Sequence, residues 1–150
     1  METTIVNSDP LCIFCQIVAR ESEASVLYED DRIIAFMNLR PINPGEFMVI
    51  PKSHVDHFCD LPDELSCHIL IHAQRLSRNL RQRLNPQRVG LVVHGYGVAH
   101  AHLVVVPQHG PDDITSAKLA RIEDGRVEFD VGLLPQATRE ELNQMAKLLS

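Results

Sequence analysis

No apolar run in this 150-residue chain approaches the ~20 residues needed to cross a bilayer, so nothing in it reads as a membrane span. The opening residues, METTIVNSDP, lack the basic stretch followed by an apolar stretch that a secretory signal requires. A cytoplasmic, reducing setting is therefore expected, with the four cysteines serving as thiols or metal ligands rather than disulfides. Positive charge is also scarce: 14 Lys and Arg face 20 Asp and Glu, a formal net charge of -6. Nonspecific coating of nucleic acid draws its energy from many Lys and Arg contacts to phosphates, so the charge balance argues against it. A small anion in a local pocket stays open. Repeats, linkers and low-complexity segments are missing as well. What is present is a globular composition, 45% hydrophobic and 23% charged, and enough chain for one domain over residues 1–150 with its own core.

After the polar leader, Phe14–Arg20 predicts a short helix, and Ser25–Glu29 and Arg32–Asn38 predict a hairpin around Asp30-Asp31. Pro41, Pro44 and Gly45 break the chain before a strand over Glu46–Pro51. Asp60 is the expected N-cap of the longest helix, with Pro62 in its first turn. Apolar residues then recur at Leu65, Ile69, Ala73, Leu76, Leu80 and Leu84 until Asn85-Pro86. Val89–Val93 and Ala101–Val106 are β-branched runs expected at the centre of the sheet, joined tightly through His94-Gly95-Tyr96-Gly97. Asp124-Gly125 predicts a second hairpin, and Thr138 with Glu141 a capping box that starts a closing helix. Hairpins with helices between them make an α+β domain on an antiparallel sheet.

His100, His102 and Val104 are two residues apart in the last of the apolar runs, so their side chains share one face while Ala101, Leu103 and Val105 point to the other. If the second face packs on the long helix, the histidine face lines a cleft. A neutral imidazole there can attack phosphorus, provided a ring N–H donated to a backbone carbonyl holds its tautomer. The same spacing also suits the polar face of a half-exposed strand.

Cys12-x-x-Cys15 has the spacing of half a zinc site, which needs two further N or S ligands. It is also the spacing of a thioredoxin-like redox pair, which requires a βαβ setting although only a polar leader precedes Cys12. Two reduced thiols without metal are the plainest alternative. Cys59 and Cys67 read as core or surface thiols. His68 and His72, one helical turn apart, could bind metal but are expected as a solvated pair on the polar side of the long helix. Lys52 suits either a phosphate partner or a solvated residue after its strand.

Gly97-Val98-Ala99-His100-Ala101-His102-Leu103-Val104-Val105-Val106-Pro107 resembles the signature of the histidine-triad (HIT) superfamily, His-x-His-x-His followed by apolar residues. Upstream, Cys12-Ile13-Phe14-Cys15, Tyr28-Glu29-Asp30-Asp31, Ala35-Phe36-Met37-Asn38, Pro41-Ile42-Asn43-Pro44-Gly45 and Val49-Ile50-Pro51-Lys52-Ser53-His54 are similar to the same family in the same order. The resemblance covers about residues 12–109 and leaves 110–150 as an unmatched C-terminal extension.

The resemblance implies a HIT-like α+β domain: a mostly antiparallel five-stranded sheet, one long helix packed on it and a C-terminal helix, usually in a homodimer. It implies a hydrolase or nucleotidyl transferase acting on a purine nucleotide conjugate, such as a dinucleoside polyphosphate or a nucleoside phosphoramidate. His102 corresponds to the nucleophile that attacks the α-phosphate. Asn38 falls where the family usually has an Asp contacting the ribose hydroxyls, and Ile33 and Phe36 would contact the base, although both also read as core. His54 and His100 match positions that complete a Cys2His2 site with Cys12 and Cys15 in zinc-containing members and in the related galactose-1-phosphate uridylyltransferases. Such a zinc would be structural.

Two departures stand out. Val104 replaces the third histidine, which those transferases also lack, and removes one donor; losing a donor aimed at transition-state charge typically costs ~3 to 4 kcal/mol. The chain also passes from Val93 to His100 without the Asn, Gly-rich loop and Gln-Ser pair found in many members. His94 could reach the phosphate in their place, or be a surface turn residue. A nucleotide-binding regulatory protein with little catalysis is the alternative reading.

Overall fold

The computed structural model describes residues 7–114 and 118–150; the leader up to residue 6 lies outside the described residues. The chain runs α1 (Ile13–Val18), β1 (Val26–Glu29), β2 (Ile33–Met37), β3 (Phe47–Pro51), α2 (Asp63–Leu84), β4 (Arg88–Val92), β5 (Leu103–Gln108), β6 (Ala120–Glu123), β7 (Arg126–Phe129) and α3 (Arg139–Leu149). Five strands form one antiparallel sheet in the order β1-β2-β3-β5-β4, and β6-β7 form a separate hairpin. This is the expected α+β architecture. Among the described residues, no helix is long and apolar enough to cross a membrane.

Both faces of the sheet are covered, which is why β2 and β3 read in sequence as continuous apolar runs rather than alternating ones. Ile33, Ala35, Met37, Phe47, Val49, Leu103 and Val105 pack beneath α2 and α3 with Ile69, Ala73, Leu76, Leu80, Leu142 and Ala146. Ile34, Phe36, Met48, Ile50 and Val104 turn the other way, against Cys12, Phe14, Cys15 and Ile17 around α1. Period-two alternation therefore sorts the sheet into a two-helix side and an α1 side.

Four expectations need correction. Asp60 does not cap α2: it closes a 3-10 turn over Phe58–Asp60, and Pro62 stands at the N-cap with no side-chain bond. The reason is local, since a residue before proline is pushed out of the helical region and Leu61 is extended at φ -65°, ψ 139°. Asp63 and Glu64 still complement the helix dipole. At the other end Asn85 adopts the left-handed conformation and donates its N–H to the Arg81 carbonyl, as a C-terminal stop before Pro86 should.

The link between β4 and β5 is no tight turn. Val92 pairs with Val104, so the whole of 93–102 intervenes, and His100 and His102 lie in the lead-in to β5 rather than within it. β4 is also an edge strand, not a central one. Gly45 earns its place before β3: its φ is +103°, and a Cβ there would stand 2.4 Å from Leu84 Cδ1.

Candidate functional site

Cys12 and Cys15 sit at the start of α1, His54 just beyond β3, and His100 in the lead-in to β5. These four residues, separated in sequence by up to 88 positions, offer ligand atoms that all lie within 4.8 Å of one another. His100 Nδ1 is 3.5 Å from Cys12 Sγ and 3.6 Å from Cys15 Sγ, and His54 Nδ1 is 3.3 Å from Cys15 Sγ. Zinc–sulfur and zinc–nitrogen bonds at the tetrahedral angle set a sulfur-to-nitrogen edge of about 3.5 Å. Three of the six donor pairs thus already stand at the separations a tetrahedral ion needs, and the rest lie within 4.8 Å.

Protonation agrees with the geometry. His100 Nε2 is 2.9 Å from the Pro51 carbonyl, which can only accept, so the proton sits on Nε2 and the Nδ1 lone pair faces the sulfurs. Burial pushes the His100 pKa down, which keeps the ring neutral as a ligand must be. Burial, and then the neighbouring Cys12 sulfur, push the Cys15 thiol up against the opposing bond from the Asp9 N–H. Two such thiols ionise together only beside a cation. A redox reading fits poorly, because α1 precedes an antiparallel hairpin and, among the described residues, no βαβ unit surrounds the pair.

His102 is ordered by the same stretch of chain. Its Nδ1 donates to the His100 carbonyl at 2.6 Å, leaving Nε2 unprotonated. The ring stands edge-on to Phe14, centroids 5.5 Å apart and planes at 85°, and Phe14 meets Phe36 in the same manner at 5.4 Å. His102 is 9% exposed and borders a cavity of about 240 Å³ that His57, Phe58, Val93, His94 and Val98 also line. A neutral imidazole with one ring nitrogen locked and the other free beside a cavity can act as a nucleophile or accept a proton.

Sequence-predicted residues fall into three groups. His102, His94 and His100 meet at this cavity, and Phe36 lies on the same side of the sheet. Ile33 does not: at 0% exposure it is core beneath α2, on the opposite side, with no surface left for a base. Asn38 borders a separate cavity of about 780 Å³ between the β2–β3 connection and α3, lined also by Glu46, Lys118, Leu134 and Met145. Its Nδ2 donates to Glu46 Oε1 at 2.6 Å and its Oδ1 accepts from the Arg40 N–H at 3.1 Å. Burial raises the Glu46 pKa against its bonds from Ile42 N–H and Asn38. The larger cavity holds no imidazole, so the smaller one is the candidate for phosphate chemistry. Lys52 is paired with Glu29 at 2.8 Å rather than standing free.

Sequence reasoning missed the Pro51 and His100 carbonyls, which set both tautomers, and Phe14, which packs on both rings. Main-chain oxygens carry no residue-type signal. Phe14 could have been found from its place between the two cysteines.

Against known proteins, the HIT domain model matches residues 19–111, more than half of the chain. An uncharacterized HIT-like protein of Methanocaldococcus jannaschii is 32% identical over 107 residues, covering 68% of this chain and 82% of the relative. Among solved structures, a Zn-bound histidine triad family protein from Mycobacterium smegmatis is similar with a TM-score of 0.69 at 25% identity, over 93% of this chain and 90% of that one. A Hit-like protein from Bartonella henselae shares the fold with a TM-score of 0.73 at 21% identity, over 95% of this chain and 96% of that one. Domain match, relatives and the placement of both imidazoles agree, and the chain belongs to the HIT family.

Proposed function

We propose that this protein is a nucleotide-binding hydrolase or nucleotidyl transferase in which His102 Nε2 attacks the α-phosphorus of a purine nucleotide conjugate. The observation that carries the reading is the 2.6 Å bond from His102 Nδ1 to the His100 carbonyl. It leaves the Nε2 lone pair as the one nucleophilic site on the ring. In the first step a bond forms from Nε2 to phosphorus, and the bond from phosphorus to the leaving group breaks with its electron pair. The leaving group takes up a proton from solvent or from His94. The nucleotidyl imidazole gains positive charge, and the N–H donated to the carbonyl strengthens as that charge develops. Water or another acceptor then attacks phosphorus, the phosphorus–nitrogen bond breaks, and the acceptor's proton is released. His102 returns to its neutral tautomer.

The other assignments follow from this pose. Phe36 and Phe14 supply apolar surface on the nucleotide side of the sheet. Asn38, on the separate larger cavity, keeps one N–H and one lone pair beyond its bonds to Glu46 and Arg40, and its assignment to the ribose hydroxyls rests on the family resemblance alone. Zinc held by Cys12, Cys15, His54 and His100 would neutralise the thiolates and clamp α1 to the lead-in of β5, with all four ligand positions filled and a structural role. A homodimer is supported by β4, an open edge strand that leaves Leu91 exposed, with Val93 exposed just beyond it.

The test is a covalent trap. Incubated with a labelled adenosine phosphoramidate or diadenosine polyphosphate and quenched in alkali, the protein should carry an acid-labile adenylyl group on His102. Tight AMP binding with no adduct would instead favour the regulatory reading, which Val104 motivates because it removes a donor. His94 borders the same cavity on an exposed loop. His94→Ala is expected to lower kcat/KM about tenfold through loss of one polarised donor to the phosphate. Unchanged kinetics would remove His94 from the site.

A further inference from the structure

On the α2 side of the sheet the solvated pair expected at His68 and His72 is something else. His72 is 8% exposed, and both rings turn inward toward the β1–β2 turn. His68 Nε2 lies 2.6 Å from Asp30 Oδ2; Tyr28 Oη lies 2.9 Å from both Asp30 Oδ2 and His72 Nε2. The ligand atoms of Asp30, His68 and His72 lie within 4.8 Å of one another.

We propose that Asp30, His68 and His72 form a second metal site, for a borderline divalent transition ion such as zinc, cobalt or nickel. Two imidazoles one helical turn apart and a carboxylate are the donor set such ions take, with the fourth position left to water or to the Tyr28 hydroxyl. The supporting bonds already point the ligands. His72 Nδ1 donates to the His68 carbonyl at 2.9 Å, which leaves its Nε2 lone pair facing Asp30 and Tyr28. Asp30 Oδ1 accepts the N–H groups of Arg32 at 2.8 Å and Ile33 at 2.9 Å, so Oδ2, which now meets His68 and Tyr28, is the oxygen turned toward the two imidazoles. Against the upward push of burial, those two N–H bonds hold the Asp30 carboxyl well below the usual range and keep it anionic.

One residue opposes the ion. Arg32 Nη2 donates to His68 Nδ1 at 2.9 Å, which forces the His68 proton onto Nε2, where it bonds Asp30. For Nε2 to bind a cation that proton must move to Nδ1, and Arg32 must swing into solvent. The nitrogen–oxygen pair must also part, from 2.6 Å to the tetrahedral edge of about 3.3 Å. Arg32 is thus a latch: its guanidinium occupies the network when the ion is absent and leaves when it binds. Bound metal would staple the β1–β2 turn to α2, on the sheet side away from the Cys12–Cys15 cluster.

The full-length protein, first loaded with one equivalent of Zn2+ to fill the cysteine cluster, is titrated with Co2+ by calorimetry and visible absorption. The expected result is one further equivalent of Co2+ per chain, with ligand-field bands and no thiolate charge-transfer band. His68→Gln, at a half-buried position that need not disturb the core, should abolish it, as should His72→Gln where circular dichroism shows the fold retained. Arg32→Ala should tighten Co2+ binding about tenfold. Absence of the second equivalent, its survival in His68→Gln, or weaker binding in Arg32→Ala would each overturn the site.

Discussion

Replacing His102 with Asn is expected to lower kcat on the order of 10^4-fold or more while nucleotide affinity changes by no more than about threefold. The substitution separates two roles of the ring. The Asn amide can place an N–H where Nδ1 stands and keep the bond to the His100 carbonyl, so the lead-in to β5 holds its path. Nothing on that side chain can replace Nε2 as a nucleophile, and without the covalent route the two easier displacements revert to one difficult one. In the proposed function, binding draws on the walls of the cavity, among them His57, Phe58, Val93 and Val98, which the change leaves in place. Steady-state kinetics and AMP affinity by calorimetry read the two quantities separately. A variant that kept a tenth of wild-type turnover would show that another group attacks phosphorus.

Removing metal should have the second largest effect, and it should appear first in stability. Treatment with a strong chelator, or Cys15→Ala, is expected to remove about 4 kcal/mol if the ion is present at about a thousandfold its dissociation constant. For a domain of this size that corresponds to a melting temperature lower by about 8 to 16 °C, read by calorimetry with and without added Zn2+. The sheet and α2 supply most of the core without help from the cluster, so the protein should remain folded. Activity should fall as well, because His100 carries both the metal-facing Nδ1 and the carbonyl that orients His102. Cys59→Ala serves as the control: that thiol is exposed and outside the cluster, so stability should stay within about 0.5 kcal/mol. A chelated protein that melted at the untreated temperature would dismiss the structural-ion reading.

Much of this was readable before any coordinates, for reasons that differ by element. α2 announced itself because one apolar stripe at helical spacing runs from Leu65 to Leu84. The capping box at Thr138 and Glu141 was equally plain, since both side chains act within four residues of each other. Cys12, Cys15, His54 and His100 could be brought together only through family resemblance; their spacing alone cannot say which histidines converge across 88 positions.

All but one of the misreadings were non-local. Asp60 is the local exception: Pro62 itself signals that Leu61 before it stays extended and that the helix starts later. Val89–Val93 looked central because apolar β-branched residues suit an edge as well as a centre, and pairing order is a tertiary fact. His72 looked solvated because its partner Tyr28 comes from a strand 44 positions away. Ile33 fell on the wrong side of the sheet because both faces are buried, and hydrophobicity then cannot tell them apart.

The proton positions on His100 and His102 depend on two peptide oxygens, those of residues 51 and 100. No codon change deletes a peptide oxygen, so the tautomer of each ring is shielded from point mutation at the positions that supply the oxygens. The weak point is mechanical: whatever slides β3 along β5 would part the Pro51 oxygen from the His100 ring, while every residue named in the site stayed the same.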